Sequence, residues 1–135
     1  MGKLTYMLCA TLVFGACSST PEPPQAGIPA PPGAICTMEA RPAIAVEPID
    51  RSTGRLIDGM VTVIVRDGIY TDTAQARVQR DAPTISAAYE RAGTYIVQVL
   101  HPRYREWESG RVPVTRDECH VRTVRLRAEL RPVDR

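Results

Sequence analysis

The amino-acid sequence predicts a small all-β sandwich of about seven strands, preceded by an export segment and a proline-rich linker. Three observations favour this fold class. Short apolar runs alternate with period two, turn signals recur about every 8–12 residues, and no amphipathic helix of useful length is present. Twelve prolines and nine glycines among 135 residues are also too many for a helical bundle of this size.

The charge balance gives little support to a polyanionic partner. The formal net charge is only +2, and Lys3 is the only lysine, so every other Lys/Arg position is arginine. Basic residues and aromatic residues are not interleaved, which leaves nucleic-acid binding without a motif. From composition we therefore expect no nucleic-acid partner and no strong electrostatic partner.

Residues 1–16 are typical of an export signal that ends at a lipoprotein cleavage site. Lys3 supplies the positive start, and the apolar run after it is too short to span a bilayer. Residues 12–17, Leu-Val-Phe-Gly-Ala-Cys, resemble a bacterial lipobox. That resemblance implies a diacylglycerol on Cys17 and a further acyl chain, such as palmitate, on its freed amine. An ordinary cleaved signal, with Cys17 incidental, is the alternative.

Residues 17–34 comprise the lipidated cysteine and a linker rich in proline. The linker holds too little apolar surface to offset its ordering entropy, so we expect it to be disordered and extended, at about 3.1 Å per residue. A proline-rich ligand for a partner groove is the alternative. Ser18 stands where lipoproteins retained in the inner membrane carry aspartate. The resemblance therefore implies a periplasm-facing anchor in the outer membrane.

The four cysteines divide into two pairs. Cys9 leaves with the signal and Cys17 carries lipid, which leaves Cys36 and Cys119 as an even pair in an oxidising compartment. We expect a disulfide that joins the first and last strand regions of the domain. In the chain-entropy model a loop of this length contributes about 4–5 kcal/mol.

The sequence contains no motif typical of an enzyme active site or a metal site. His120 follows Cys119, but neither CxxC nor HxxxH spacing occurs, so we expect no metal or cofactor and place His120 on the surface of a strand. The two histidines, His101 and His120, lack a motif-level nucleophile. Residues 117–118, Asp-Glu, suit a solvated turn. The sequence therefore favours a non-catalytic protein.

The predicted domain covers residues 35–131 and is organised around one strand. That central strand carries Tyr95, Val97 and Val99 on one face, after a turn in which Gly93 is expected to take positive φ. In chain order, the strands are predicted at 43–49, 60–66, 69–73, 84–91, 94–99, 112–114 and 119–130.

Four further local features are predicted from turn residues and pattern breaks. The Asp-Gly pair at 67–68 indicates a hairpin. Residues 74–83 suit a short helix, an edge strand or a loop equally well. Val121 is out of phase with the rest of its strand, which suggests a bulge near residues 122–123. Residues 131–135 are expected to form a frayed tail.

Three short motifs resemble the carboxypeptidase regulatory-like domain, which is a transthyretin-like sandwich of the broader Ig-like class. Residues 52–61 are similar to the turn and strand that open that family, and residues 92–99 to its Gly-Thr-Tyr strand. Residues 101–104 stand at its proline-glycine-tyrosine turn, with Arg103 in place of the glycine. The resemblance covers residues 42–130 and implies a folding or interaction module. The related 5-hydroxyisourate hydrolases end in Tyr-Arg-Gly-Ser, which this chain lacks.

The loop after the central strand is the candidate ligand or partner surface. Tyr104, Arg105 and Trp107 lie in it, and Tyr70 beside the hairpin is a weaker candidate. Aromatic residues on such a loop can anchor a protein or stack on a sugar, or they can simply cover the end of the sandwich. We therefore expect a lipid-anchored interaction module with an envelope protein as its partner. The alternative is a carbohydrate- or peptide-binding module that uses Tyr104 and Trp107.

Overall fold

The computed structural model describes Gly33 and residues 35–134 of the chain. The predicted signal, Cys17 and most of the linker lie outside the described residues. Among those described, eight strands and no helix occur, so the all-β prediction is confirmed with one strand more than expected. The strands are β1 Pro42–Asp50, β2 Gly59–Asp67, β3 Tyr70–Val78, β4 Ile85–Tyr89, β5 Gly93–Leu100, β6 Trp107–Glu108, β7 Val112–Val114 and β8 Val124–Leu130.

Two sheets form the sandwich. The smaller sheet has the order β4-β1-β8, and the larger has the order β3-β2-β5-β6, with β7 also paired to β5. The core lies between them and is made chiefly of valine, isoleucine and alanine, with Tyr95 as its largest fully buried side chain. Each sheet therefore has two edges: β4 and β8 bound the smaller sheet, and β3 and β6 bound the larger one.

Strict alternation produces β2 and β5, the two strands that sequence reasoning located best. Val61, Val63 and Val65 are fully buried on β2, and their neighbours on the strand are more exposed. Val63 pairs with Val99 of β5 in antiparallel register, so the valine face of each strand meets the same core. The predicted apolar face of the central strand is confirmed.

The first and last strands of the domain lie side by side. β1 pairs in parallel with β8, from Ile44 opposite Val124 to Asp50 opposite Leu130. Because β4 pairs with its other side, β1 is the central strand of its sheet. This pairing closes the domain across nearly its whole length, and it leaves β8 at the edge.

The hairpin at residues 67–68 is confirmed, and of the ambiguous segment 74–83 the first five residues belong to an edge strand and the rest form a loop. Asp67 pairs with Tyr70, and Gly68 takes φ 59° in the two-residue loop, which glycine accommodates without strain. β3 then continues to Val78. Only small alanines alternate with polar residues there, so the sequence signal for a strand is weak.

Gly93 does not take the positive φ that the sequence suggested. Ala88 and Glu90 adopt it instead, at 55° and 52°. A side chain at Gly93 would collide with the Asp67 carboxylate, whose Oδ2 lies 2.7 Å from an Arg91 guanidinium nitrogen. Glycine leaves room for this ion pair, which would have to shift to accommodate a side chain, and no positive φ calls for glycine here.

The last strand begins later than predicted. β8 starts at Val124, and Val121 forms an isolated bridge with Arg116 in the preceding loop, so the predicted bulge is wrong. Past β8, the N–H of Arg105 donates to Arg131 O at 2.8 Å and the N–H of Val133 to Arg103 O at 3.0 Å. Those backbone bonds pair residues 131–133 with the loop after β5, so the frayed tail predicted for residues 131–135 is wrong at 131–133.

Candidate functional site

The loop from His101 to Trp107 is held from several sides. The N–H of Tyr104 donates to His101 O at 3.1 Å, and the N–H of Arg103 donates to His101 Nδ1 at 3.1 Å. The His101 and Tyr104 rings meet edge to face, with centroids 5.1 Å apart. Burial, with the nearby Arg103 charge, lowers the pKa of His101, so the ring is neutral at pH 7. The loop is therefore a fixed platform.

Tyr104 is half-buried and acts as a support for that platform. Its hydroxyl donates to Asp50 Oδ2 at 2.8 Å. The Ser52 hydroxyl, together with Tyr104, lowers the pKa of Asp50 to about 2. In return, burial followed by the Asp50 hydrogen bond raises the pKa of Tyr104. Tyr104 is therefore engaged by its own domain.

Trp107 lies on β6, opposite Val99 of β5, and is half-buried against the core. It also forms one wall of a cleft of about 460 Å³. We call this the arginine cleft, because its walls carry four arginines beside Trp107: Arg51, Arg105, Arg127 and Arg131. Glu106, Glu129 and Leu130 complete its lining. Arg105 and Trp107, two of the sequence candidates, are thus brought together.

Backbone hydrogen bonds bring arginines from three parts of the chain to this cleft. The N–H of Arg51 donates to Leu130 O at 2.9 Å, and the N–H of Arg105 donates to Arg131 O at 2.8 Å. Arg127 lies on the solvent face of β8, because side chains alternate along a strand. These residues are far apart in sequence, so no cluster of basic residues along the chain predicts the cleft.

The positive charges of the cleft are only partly neutralised. Arg105 Nη2 lies 2.8 Å from Asp134 Oδ2, but the two side chains are 64% and 90% exposed. Arg127 Nε is 3.9 Å from Glu129 Oε1. Exposed pairs of this kind contribute about 0–1 kcal/mol. Arg51 and Arg131 form no ion pair within residues 35–134. The cleft is therefore a local cationic surface on a chain of modest net charge.

Tyr70 does not join this surface. It lies at the Asp67 end of the β2–β3 hairpin, whereas the His101 loop lies at the Gly59 end of β2. The Arg91 guanidinium carbon is 4.1 Å from the centroid of the Tyr70 ring. Burial raises the pKa of Tyr70. Tyr70 thus belongs to a separate cation–π cluster that packs against Tyr95.

Cys36 and Cys119 lie at disulfide distance, with their Cα atoms 5.3 Å apart and a sequence separation of 83. The pairing predicted from cysteine arithmetic is therefore seen. Cys119 lies in the loop before β8. The prediction that it begins the last strand is therefore wrong. The pair joins the segment before β1 to that loop.

His120 is buried in the same region, and its predicted place on a strand surface is wrong. Its Nδ1 lies 2.9 Å from Glu90 Oε1, and its Nε2 lies 2.9 Å from Thr37 Oγ1. We call Thr37, Glu90 and His120 the His120 cluster. Thr37 and His120 each follow a paired cysteine directly, so the cysteine pair brings them together. In the sequence, the position of each residue next to a paired cysteine is the signal that would have predicted the contact.

A hydroxyl, an imidazole and a carboxylate in this order are also the groups of a hydrolase triad. In this protein Glu90 is occupied by the backbone as well, because its carboxylate accepts the N–H of Arg41 at 2.6 Å and its own N–H donates to Arg41 O at 2.9 Å. The Arg41 N–H, with His120, lowers the pKa of Glu90. The cluster therefore anchors residues 35–41 to the sandwich, and we assign it a structural role.

No protein-family model, curated protein or solved structure matches this chain. The structure also contains no helix, among the residues it describes, that has the length and apolar character needed to cross a membrane. Within the same residues, no group of three or more potential ligands could hold a metal ion. The arginine cleft is the candidate functional site.

Proposed function

We propose that this protein is a non-catalytic, lipid-anchored module of the cell envelope that binds another envelope protein through the arginine cleft. The observation that carries the proposal is the gathering of four arginines around Trp107, two of which form no ion pair within the described residues. Arginine and tryptophan are the residue types that most often dominate protein interfaces. The lipobox-like residues 12–17 supply the anchor.

The proposed location is the outer membrane, with the domain facing the periplasm. Cys17 would carry the lipid, and residues 18–34 would separate the domain from the bilayer. Two or more acyl chains make such anchoring stable, since each buried CH₂ contributes about 0.8 kcal/mol. The three sequence motifs at residues 52–61, 92–99 and 101–104 support a relation to carboxypeptidase regulatory-like domains.

A carbohydrate- or peptide-binding module that stacks its ligand on Tyr104 and Trp107 is supported less well. Both side chains are half-buried, and the Tyr104 hydroxyl is bonded to Asp50. The aromatic pairs described in the sandwich join Tyr104 to His101 and Tyr70 to Tyr95, and no pair joins Tyr104 to Trp107. Sugar stacking would need an open ring face, so the arginines are the better recognition groups.

The anchor is tested by replacing Cys17 with serine and fractionating cells. We expect Cys17→Ser to leave the membrane fraction, because the acyl chains are then absent. The matched control is Cys9→Ser, which changes a cysteine within the same export segment and should remain membrane-bound. Membrane association that survives Cys17→Ser would contradict the lipid anchor.

The partner surface is tested by chemical cross-linking in intact cells, followed by purification and mass spectrometry. We expect one dominant envelope protein from the wild type and its loss from the Arg105→Gln/Arg127→Gln double variant. The control is Arg77→Gln/Arg80→Gln, which removes the same charge from exposed positions at the end of β3 and just beyond it. Equal capture by both double variants, or no captured protein, would overturn the proposed surface.

A further inference from the structure

The arginine cleft lies between two free sheet edges. β8 is the edge of the smaller sheet, and β6 is the edge of the larger one. The cleft takes Trp107 from β6 and Arg127, Glu129 and Leu130 from β8. The cleft therefore lies beside the unpaired edge of β8.

The opposite side of the sandwich is closed. There the edge strands are β3 and β4, and the Asp72 carboxylate of β3 accepts the N–H of Ala88 of β4 at 2.8 Å. The two sides are thus not equivalent, because one pair of edges is bonded across the sandwich and the other pair encloses the cleft.

The backbone of β8 is available for pairing over most of its length. Beyond β8, Arg131 O accepts the N–H of Arg105, which closes the edge from that point on. Within the described residues, β8 pairs with no strand other than β1. Residues 124–129 therefore present an unpaired edge of about six residues, or about 20 Å.

The side chains along this edge specify what an added strand would carry. Arg125, Arg127 and Arg131 alternate on the solvent face, interrupted by Glu129. Side chains directly opposite one another on paired strands lie about 5 Å apart, where opposite charges attract. On the inner face Val124 and Leu126 are only half-buried, although their β8 neighbours Ala128 and Leu130 are buried. An added strand with inward apolar side chains would complete their burial.

We infer that the β8 edge beside the arginine cleft binds an extended peptide segment that alternates acidic with apolar residues. Its carboxylates would meet Arg125 and Arg127, and its apolar side chains would cover Val124 and Leu126. Main-chain hydrogen bonds would supply affinity, and Arg125 and Arg127 would set the register of the peptide on β8. This inference rests on the proposed function and names the chemistry of the partner segment.

The test uses the full-length chain purified in mild detergent and a fluorescent eight-residue peptide that alternates glutamate with valine or threonine. Fluorescence anisotropy measures binding, and hydrogen exchange measures protection of amides in residues 124–129. We expect binding, protection confined to that edge, and a loss of affinity of about tenfold for Arg127→Glu. Arg77→Glu, on the solvent face of the other edge strand, should leave affinity unchanged.

N-methylated peptides separate strand addition from simple charge attraction. Only one alternating set of guest amides faces β8, so methylation of that set should abolish binding and methylation of the other set should not. Equal affinity for the two methylated peptides would overturn the inference. So would equal affinity for a peptide with its glutamates in one block or for a sulfated polysaccharide, since either would indicate a general anion site.

Failure of this inference and failure of the proposed function give different results. If no alternating peptide binds, yet cross-linking still captures an envelope protein that the Arg105→Gln/Arg127→Gln variant loses, strand addition is wrong and the partner surface stands. If neither experiment detects a partner, both proposals are wrong.

Discussion

The His120 cluster and the arginine cleft are both polar, but they are built in opposite ways. In the cluster both ring nitrogens of His120 have partners at 2.9 Å, and a cysteine pair lies next to it. In the cleft, Arg51 and Arg131 lack ion-pair partners among residues 35–134, and the other arginines have exposed, weak ones. Polar groups that hold a fold are satisfied internally, whereas groups that recognise a partner are left available.

Removal of the cysteine pair should have the largest effect on the free energy of unfolding. We expect Cys36→Ser/Cys119→Ser to lower the free energy of unfolding by about 4 kcal/mol, because the unfolded chain regains the entropy of an 83-residue separation. Urea unfolding with and without reductant measures this. The wild-type midpoint should fall on reduction and that of the double variant should not. A reductant-insensitive wild type would show that the pair is not bridged.

Loss of the buried imidazole should have the next largest effect. His120→Ala removes both of its hydrogen bonds and leaves a cavity, which should cost about 2–3 kcal/mol. Thr37→Val is the milder control, since it removes one exposed hydroxyl. Hydrogen exchange should show that the Arg41 amide, which donates to the Glu90 carboxylate, loses protection in His120→Ala. Unchanged protection would contradict the anchoring role of the cluster.

The support under the loop should contribute less. Tyr104→Phe removes the hydrogen bond to Asp50 and should lower the free energy of unfolding by about 1 kcal/mol. Tyr70→Phe is the matched control, because the Tyr70 hydroxyl makes no hydrogen bond within the described residues, while its ring packs beneath Arg91. Equal effects of the two substitutions on urea unfolding would contradict the assigned role of Tyr104.

Acid should weaken the cluster and the loop support together. The pKa values of Asp50 and Glu90 are lowered in the folded state, that of Asp50 to about 2. Their contributions are therefore present above the unfolded-state pKa of about 4 and lost as pH falls through each folded-state pKa, which for Asp50 is about 2. Asp50→Asn should make the acid part of the stability profile shallower. An unchanged profile, measured by urea unfolding at each pH, would contradict this.

The smallest effect on stability is expected in the cleft. Arg127→Gln and Arg131→Gln should each change the free energy of unfolding by less than about 0.5 kcal/mol, because exposed charges contribute little to folding. Thermal or urea unfolding measures this directly. A loss comparable to that of His120→Ala would mean that the cleft arginines hold the fold, and it would remove the contrast between the two regions.

How much could be predicted differs between the two regions for a physical reason. β2 and β5 were found because burial of one face forces period-two alternation within a single strand. The cysteine pair was found because compartment and parity restrict the choices. The cleft was not found as a unit, because Arg51, Arg105, Arg127 and Arg131 come together only through pairings that are distant in sequence.

Two local errors follow from the same cause. The sequence predicts a turn glycine at Gly93, but its role is set by Asp67 and Arg91, whose side chains reach it from outside its own strand. The sequence predicts His120 on a strand surface because the last strand is expected to begin at Cys119. Its burial depends on Thr37 and Glu90, and neither is near it in the chain. The local sequence pattern predicts whether a residue is buried only where burial follows from alternation along its own strand.

The most direct test of the central claim is photo-cross-linking in intact cells from two matched positions. A photoreactive residue would replace Glu106, which lines the cleft without contributing a positive charge, in one variant and Arg77 on β3 in the other. We predict a discrete adduct to one envelope protein from position 106 and none from position 77. Adducts of equal yield from both positions, or from neither, would contradict the claim that the arginine cleft is the partner surface.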